Sequence, residues 1–274
     1  MNALETLVRT VKSQFGLTSI SPLVVAARPI YDVLLGITYR HGGLIRNING
    51  EQTMRIRPHY RYLQEDYEPE VYRYLKAHVS PGAVILDIGA HVGLFTILLA
   101  RWSGPNGQVY AFEPTPVTRA ALEDHLALNQ VADRVKIEPL AVSDQCGEGT
   151  FYGAADNQEN TLCASHRRIP TAEPMPVEIT TIDAFCQYRR IAPTLLKIDI
   201  EGFEIHALRG AHETLKKYQP TVLVEMHPMN WPAIGIGREQ VEATLAELGY
   251  RAIALDHQAD SLAEYGHVAL VAIK

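Results

Sequence analysis

A short apolar run, Ala83-Val-Ile-Leu-Asp87, leads directly into a turn holding Gly89 and Gly93, and a helix-forming stretch follows from Leu94 to Ala100. A strand that passes through a glycine turn into a helix is the opening of a nucleotide-binding α/β unit. Gly89 allows a sharp bend, and Gly93 lets the helix approach both the sheet and a ligand. The rest of the chain is constrained by this start, because a parallel sheet needs further strands and crossover helices to cover both its faces.

Those elements follow in order. Gln108–Glu113 reads as a second strand and Pro116–Asn129 as a helix. Val135–Val142, Leu195–Asp199 and Thr221–Met226 read as the third, fourth and fifth strands, and Arg238–Leu248 as a helix. Tyr250–Leu255 and His267–Ile273 close the chain. The loop between them is too short for a crossover helix, so they should pair antiparallel. The expected fold is α/β and Rossmann-like: a mostly parallel seven-stranded sheet with a final antiparallel strand. Gly147–Val177 interrupts the alternation with a polar segment carrying His166-Arg167-Arg168, which suits either a substrate loop or a covering hairpin.

The turn, Asp87-Ile-Gly-Ala-His-Val-Gly93, departs from a dinucleotide fingerprint in two ways. His91 stands where the middle glycine would be, and Asp87 lies two residues before the first glycine. Both count against a nicotinamide oxidoreductase, the competing enzyme reading. Dinucleotide turns hold a pyrophosphate, whereas S-adenosylmethionine (SAM) carries a sulfonium and an ammonium, and an acid near the turn suits the ammonium, directly or through water. Asp87 could equally cap the turn. Glu113, at the end of the second strand, is placed to accept from ribose hydroxyls. Two acids on adjacent strand ends around one glycine turn carry more than either alone. At the end of the third strand, Ala141 and Val142 would meet an adenine, and Asp144 would accept from its amino group or cap the next turn.

With these segments in view, the sequence resembles the FkbM-type methyltransferases. The matching runs are Val84-Ile-Leu-Asp-Ile-Gly-Ala-His-Val-Gly93, Ala111-Phe-Glu-Pro114, Leu140-Ala-Val-Ser-Asp144, Leu195-Leu-Lys-Ile-Asp-Ile-Glu-Gly-Phe-Glu204 and Val224-Glu-Met-His-Pro228. The family often has Asn at the position of His91. The resemblance implies a class I methyltransferase fold and SAM as cofactor, held by Asp87, Gly89, Ala90, His91, Gly93, Glu113, Ala141, Val142 and Asp144. It also implies O-methylation of a sugar, glycolipid or polyketide-type hydroxyl. A catalytically inactive scaffold of the same fold is the non-enzymatic alternative.

Methyl transfer requires a positioned acceptor oxygen and a group to take its proton. Asp199, Glu201, Glu225 and His227 lie at or just past the ends of the fourth and fifth strands, where ligands bind in such sheets. Asp199 or His227 could be the base, with Glu201 beside them. Asp199, Glu225 and His227 could instead hold a divalent metal that acidifies the hydroxyl. The plainer reading has Glu201 and Glu204 opening a helix and Glu225 pairing with Lys197.

Residues 1–69 form an expected N-terminal cap serving substrate binding or oligomerisation, ahead of a catalytic domain over 70–274. Leu4, Leu7, Val8, Val11 and Phe15 fall at helical spacing, which predicts a helix packed on the domain or on a second copy in a homo-oligomer. Its opposite face is not rich in Lys or Arg, which disfavours a membrane-surface helix. Arg55, Arg57, His59, Tyr60, Arg61 and Tyr62 suit either a hydroxyl-rich or anionic acceptor, or a solvated strand face. A formal net charge of −6 without a dense basic block argues against a nucleic-acid partner. Cys146, Cys163 and Cys186 have no metal spacing and fit a reducing cytoplasm. No run is long and apolar enough for a transmembrane segment.

Overall fold

The computed structural model describes residues 3–16, 18, 21–63, 65–153, 162, 173–256, 262 and 265–273. Two helices, α1 (Ala3–Gln14) and α2 (Pro22–Thr38), precede a hairpin of β1 (Leu44–Ile48) and β2 (Gln52–Ile56). Next come α3 (Pro69–His78), β3 (Val84–Ile88), α4 (Leu94–Trp102), β4 (Gln108–Phe112), α5 (Pro116–Leu128), β5 (Val135–Glu138) and β6 (Leu140–Val142). Then follow β7 (Gly147–Gly153), β8 (Glu173–Thr180), α6 (Ile182–Arg189), β9 (Leu195–Ile198), α7 (Glu204–Arg209) and α8 (His212–Tyr218). The last elements are β10 (Thr221–Met226), α9 (Arg238–Glu247), β11 (Tyr250–Ala254) and β12 (Gly266–Ala272).

The main sheet has seven strands in the order β11-β12-β10-β9-β3-β4-β5. Pairings from β5 through to β10 are parallel, and β12 runs antiparallel to both β10 and β11. The strand order reverses between β3 and β9, as the class I methyltransferase fold requires, and a crevice opens there at the C-terminal ends of the strands. The expectation of a mostly parallel seven-stranded sheet with one late antiparallel strand is met.

Two apolar layers enclose the sheet. On one face, Leu98 and Leu99 of α4 and Leu122 and Leu126 of α5 pack with Leu44, Ile48, Met54 and Ile56 of the β1–β2 hairpin. Residues before Glu70 therefore share a continuous core with the SAM-fold helices. On the other face, Phe185, Ile205, Leu208, Leu215 and Val241 from α6 to α9 pack against Leu86, Leu196 and Val224.

The third expected strand, Val135–Val142, is two strands. Pro139 has no N–H to donate, so pairing stops there. β6 then turns out of the main sheet to run parallel with β8, which pairs antiparallel with β7. The interrupting segment is thus a covering hairpin. Its Phe151 and Leu162 reach the central crevice, while His166, Arg167 and Arg168 lie outside the described residues.

The N-terminal segment is the expected helix, and of its two expected packings, on the domain or on a second copy, the first is only partly made. A salt bridge from Glu5 to Arg46 at 2.7 Å ties α1 to the hairpin, but Leu7, Val11 and Phe15 are exposed rather than packed on the domain. Among the described residues no helix is long and apolar enough to cross a membrane.

Candidate active site

The turn after β3 is built on the backbone of β4. The Gly89 and Ala90 amides both donate to the Phe112 carbonyl, at 3.1 and 3.0 Å. Gly89 has a φ of +85°, and a Cβ there would lie 1.8 Å from the Asp199 carbonyl oxygen. Only glycine lets β3 and β9 close together at this point. Gly93 has a φ of +89°, and a Cβ there would lie 2.3 Å from Leu122. His91, at φ +49°, also occupies the left-handed region. Asn and His are among the side chains that tolerate it best, which explains why His can stand where the family often has Asn.

A cavity opens beside this turn. Gly89, His91, Glu113, Ala141 and Val142 line one side of it, and Asp199, Glu201 and Glu225 line the other. Five of the nine expected cofactor residues thus reach its wall. Four do not. Asp87 is fully buried, accepts a hydrogen bond from Thr96 at 2.6 Å and lies 3.9 Å from Lys197. Its carboxylate lies behind the turn and does not line the cavity. Asp144 accepts from Ser143 and lies 4.0 Å from His206, away from the cavity. Ala90 and Gly93 shape the turn without facing the cavity.

Glu113 is 6% exposed. Its carboxylate accepts from the Thr115 amide at 2.8 Å and from the His91 amide. Burial nevertheless pushes its pKa up to about 7. His91 is driven the other way by burial, down to about 4, and is neutral at physiological pH.

The opposite end is a charge network. Lys197 on β9 contacts Asp199 at 3.2 Å. Burial opposes ionisation of Asp199, but Lys197 and then His227 outweigh it and hold the carboxyl at about 2. Burial likewise opposes the Lys197 charge, and Asp199 and Asp87 outweigh it. Glu201 differs. Burial raises its pKa to about 8, aided by the neighbouring charges of Asp199, Glu225 and Glu204 and opposed by His227. Its backbone φ is +54°, an uncommon conformation for a non-glycine residue at a ligand site.

His227 does not reach the cavity wall. Nδ1 lies 2.8 Å from Glu204 and Nε2 3.4 Å from Glu201. Burial would depress its pKa, but the Glu204 hydrogen bond and the charges of Glu204, Glu201 and Asp199 raise it to about 10. A ring held as imidazolium has no free lone pair, so the expected role as proton acceptor does not fit this geometry. Nor does Glu225 pair with Lys197 as the plainer reading had it. Glu225 accepts from Tyr265 and lies 3.3 Å from His267, its register partner on β12.

His267 also lies 3.2 Å from Glu68. Burial would lower its pKa, but hydrogen bonds to Glu225 and Glu68 lift it to about 10. Two imidazolium groups, each held between two carboxylates, therefore flank Asp199. Tyr67, Glu68, Phe203 and Tyr265 also line the cavity, and sequence reasoning named none of these four as site residues. The one signal available was the antiparallel pairing of the last strands, which sets His267 opposite Glu225 once the register is known.

The metal trio Asp199, Glu225 and His227 is not brought together as a set. Among the described residues the clusters that form are Asp199–Glu201–His227 and Glu68–Glu225–His267, with donor atoms within 4.8 Å of one another. In both, the imidazole is already occupied by carboxylates on both sides or held between two of them, and is protonated. A divalent ion at either cluster would have to displace the proton that holds its imidazole between two carboxylates.

The basic and aromatic cluster of the cap lies elsewhere. Arg57 pairs with Asp124 at 2.9 Å, Arg55 donates to the Gly42 carbonyl at 2.8 Å, and Arg61 pairs with Asp32 at 2.7 Å. Tyr60 packs edge-on to His125. These side chains fasten the N-terminal segment to α5 and α2, and none lines the central cavity.

A family model described as the methyltransferase FkbM domain matches residues 87–252. The 31-O-demethyl-FK506 methyltransferase FkbM of Streptomyces tacrolimicus is 28% identical over 251 residues, covering 81% of this chain and 91% of that protein. The hexuronic acid methyltransferase AglP of Haloferax volcanii is 24% identical over 163 residues, covering 58% of this chain and 62% of that protein. Among solved structures, the methyltransferase FkbM from Methylobacillus flagellatus KT is similar with a TM-score of 0.46 and 17% identity, over 73% of this chain and half (50%) of that one. The model match spans more than half the chain, including the glycine turn, Glu113 and the Asp199–Glu204 segment: the protein belongs to the FkbM methyltransferase domain family.

Proposed function

We propose that the chain is a SAM-dependent O-methyltransferase acting on a hydroxyl of a sugar, glycolipid or polyketide-type metabolite. The observation that carries this reading is one cavity with Glu113 at one end and the Asp199–Glu201 pair at the other. The residues present fit SAM. Glu113 is a buried carboxylate facing open space, suited to the ribose diol. Leu140, Ala141 and Val142 offer backbone and apolar contact to an adenine. When bound, SAM supplies an electrophilic methyl carbon. The name of one relative, a 31-O-demethyl-FK506 methyltransferase, supports an oxygen acceptor, and that of another, a hexuronic acid methyltransferase, supports a sugar-type acceptor.

The two carboxyls at the acceptor end have pKa values pushed apart, the arrangement that separates acid–base roles. Glu201, at about 8, is the group matched to receive the acceptor's hydroxyl proton. Asp199, at about 2, remains ionised and accepts a hydrogen bond that orients the acceptor. His227 and Lys197 position these two and hold their charge. No metal is needed for this sequence of roles. The exposed Cys146 and buried Cys186 are both unpaired, in keeping with a reducing cytoplasmic setting.

Calorimetry with SAM tests the cofactor half. Wild type binds, and Glu113→Ala binds more weakly by about 1–3 kcal/mol, the cost of unpairing charge-assisted hydrogen bonds. Ribose hydroxyls stabilise the ionised carboxylate, so wild-type affinity rises as pH passes upward through about 7. Unchanged affinity in the variant would remove Glu113 from the cofactor site.

A further inference from the structure

We propose that the wall carrying Glu68, Asp199 and Glu225 selects the sulfonium charge of SAM over the uncharged thioether of S-adenosylhomocysteine (SAH), with Glu68 as a specificity-determining residue; this rests on the cofactor reading above. Among the described residues no Lys or Arg lines the cavity. The cations stand behind the wall, and carboxyl groups outnumber them. Lys197 lies between Asp87 at 3.9 Å and Asp199 at 3.2 Å, and His267 lies between Glu68 at 3.2 Å and Glu225 at 3.3 Å. His227, between Glu204 and Glu201, repeats the ratio. In a largely buried site with this excess of acid, a further positive charge is favoured. Burial and then the Asp199 charge push the Glu225 carboxyl upward, an effect that an added cation would relieve. Tyr67, Phe203 and Tyr265 line the same cavity. A sulfonium has no N–H or O–H to donate, so charge and aromatic contact are its means of recognition. Adenine and sulfur leave the ribose from opposite ends. An adenine along Leu140–Val142 and a ribose at Glu113 therefore direct the sulfur toward the wall that holds Asp199.

Glu68 reaches this wall from outside the SAM-fold core, on a backbone held in an uncommon conformation. Its φ is +39°, in the left-handed region. Such strain persists where neighbouring contacts over-determine it, and it clusters at ligand sites. The contacts are present. Asn49, in the turn of the β1–β2 hairpin, donates from its side chain to the Tyr67 carbonyl at 2.8 Å and from its amide to the Glu65 carbonyl at 2.7 Å. The Glu68 carbonyl accepts from the Tyr72 amide of α3 at 2.9 Å. The hairpin thus pins the Tyr67–Glu68 segment against the cavity. The charge it would recognise is the one the reaction removes. As the acceptor oxygen bonds the methyl carbon, the C–S electron pair returns to sulfur and the acceptor's proton passes to Glu201. The product left at the wall is a neutral thioether, which the excess acid no longer holds.

The test is calorimetry of the full chain with three probes: SAM, SAH and sinefungin, which carries an ammonium in place of the methylated sulfur and so separates charge from the methyl group. The wild type should bind SAM and sinefungin at least about tenfold more tightly than SAH. Glu68→Gln keeps the shape and removes the charge. It should weaken SAM and sinefungin by about tenfold and leave SAH within about twofold, and its SAH binding also reports that it is folded. Glu113→Ala should weaken all three probes alike, since they share the ribose. Equal wild-type affinity for SAM and SAH overturns the proposal, and so does sinefungin binding no better than SAH. A parallel loss of SAM and SAH in Glu68→Gln removes Glu68 from the role. Failure of the wild type to bind any of the three overturns the cofactor reading itself, and the proposal with it.

Discussion

At the β3–β4–β6 end of the cavity one carboxylate, Glu113, faces a wall made largely of backbone and apolar side chains. At the β9–β10 end, Glu68, Asp199, Glu201 and Glu225 share the wall, with Lys197, His227 and His267 behind them. The first end holds a molecule by shape and a few fixed acceptors. The second sets proton affinities, because close charges in a buried site move one another's pKa in both directions. One end is thus suited to binding and the other to reaction, and the same change, removal of a carboxylate, should have different consequences at each.

Loss of a carboxylate should cost most at the reactive end. Glu201→Gln should lower the single-turnover methyl-transfer rate by about 10²–10⁴-fold, the usual contribution of a general base. SAM affinity should stay near wild type. In the wild type the rate should rise with pH through about 8, as the carboxylate form of Glu201 is populated. Asp199 is ionised and His227 protonated throughout that interval, so neither supplies the rise. A wild-type profile flat from neutral to alkaline pH would remove Glu201 from the role of base.

The next concerns what holds the reactive end together. Lys197 is 5% exposed and lies between Asp87 and Asp199. Lys197→Met removes the cation and leaves two carboxylates facing each other in a buried site. Breaking a buried pair in this way costs about 3–5 kcal/mol of stability. Denaturant unfolding should show that loss, and adding Asp87→Asn to Lys197→Met should recover part of it. Equal stability of Lys197→Met and wild type would mean that the network carries no structural load.

The two ends also differ in how far the sequence reveals them. The cofactor end is assembled from segments between residues 88 and 142, each a strand end or the turn after it, so strand periodicity and a glycine spacing suffice to find it. Asp87 and Asp144 are the exceptions. Which way a side chain at a strand end turns depends on packing, here on Thr96 for Asp87 and on Ser143 and His206 for Asp144. The acceptor end draws on Tyr67 and Glu68 before α3, on β9 and β10, and on Tyr265 and His267 around β12. Nothing local in the N-terminal or C-terminal segments announces these contacts, since they depend on β12 inserting between β10 and β11. The fold's alternation was readable as a pattern, but the break at Pro139 that diverts β6 depends on the competing pairing offered by β8.

Removal of metal ions separates the reactive end from a metal-dependent alternative and should change least. Chelator treatment should leave the methyl-transfer rate unchanged, and added divalent ions should not raise it. His227 and His267 oppose binding of a metal ion. To ligate a metal, each ring must release a proton that two carboxylates hold at a pKa of about 10. Binding would also break the His227 contacts with Glu204 and Glu201 or the His267 contacts with Glu225 and Glu68, so the gain in ligation is offset by the loss of buried ion pairs. If the chelator abolishes turnover and one divalent ion restores it, Asp199 and Glu201 act as ligands and the pH dependence belongs to a metal-bound acceptor rather than to Glu201. Measuring the wild-type pH profile before and after chelation distinguishes the cases, because a carboxylate base keeps its midpoint near 8 when the metal is removed.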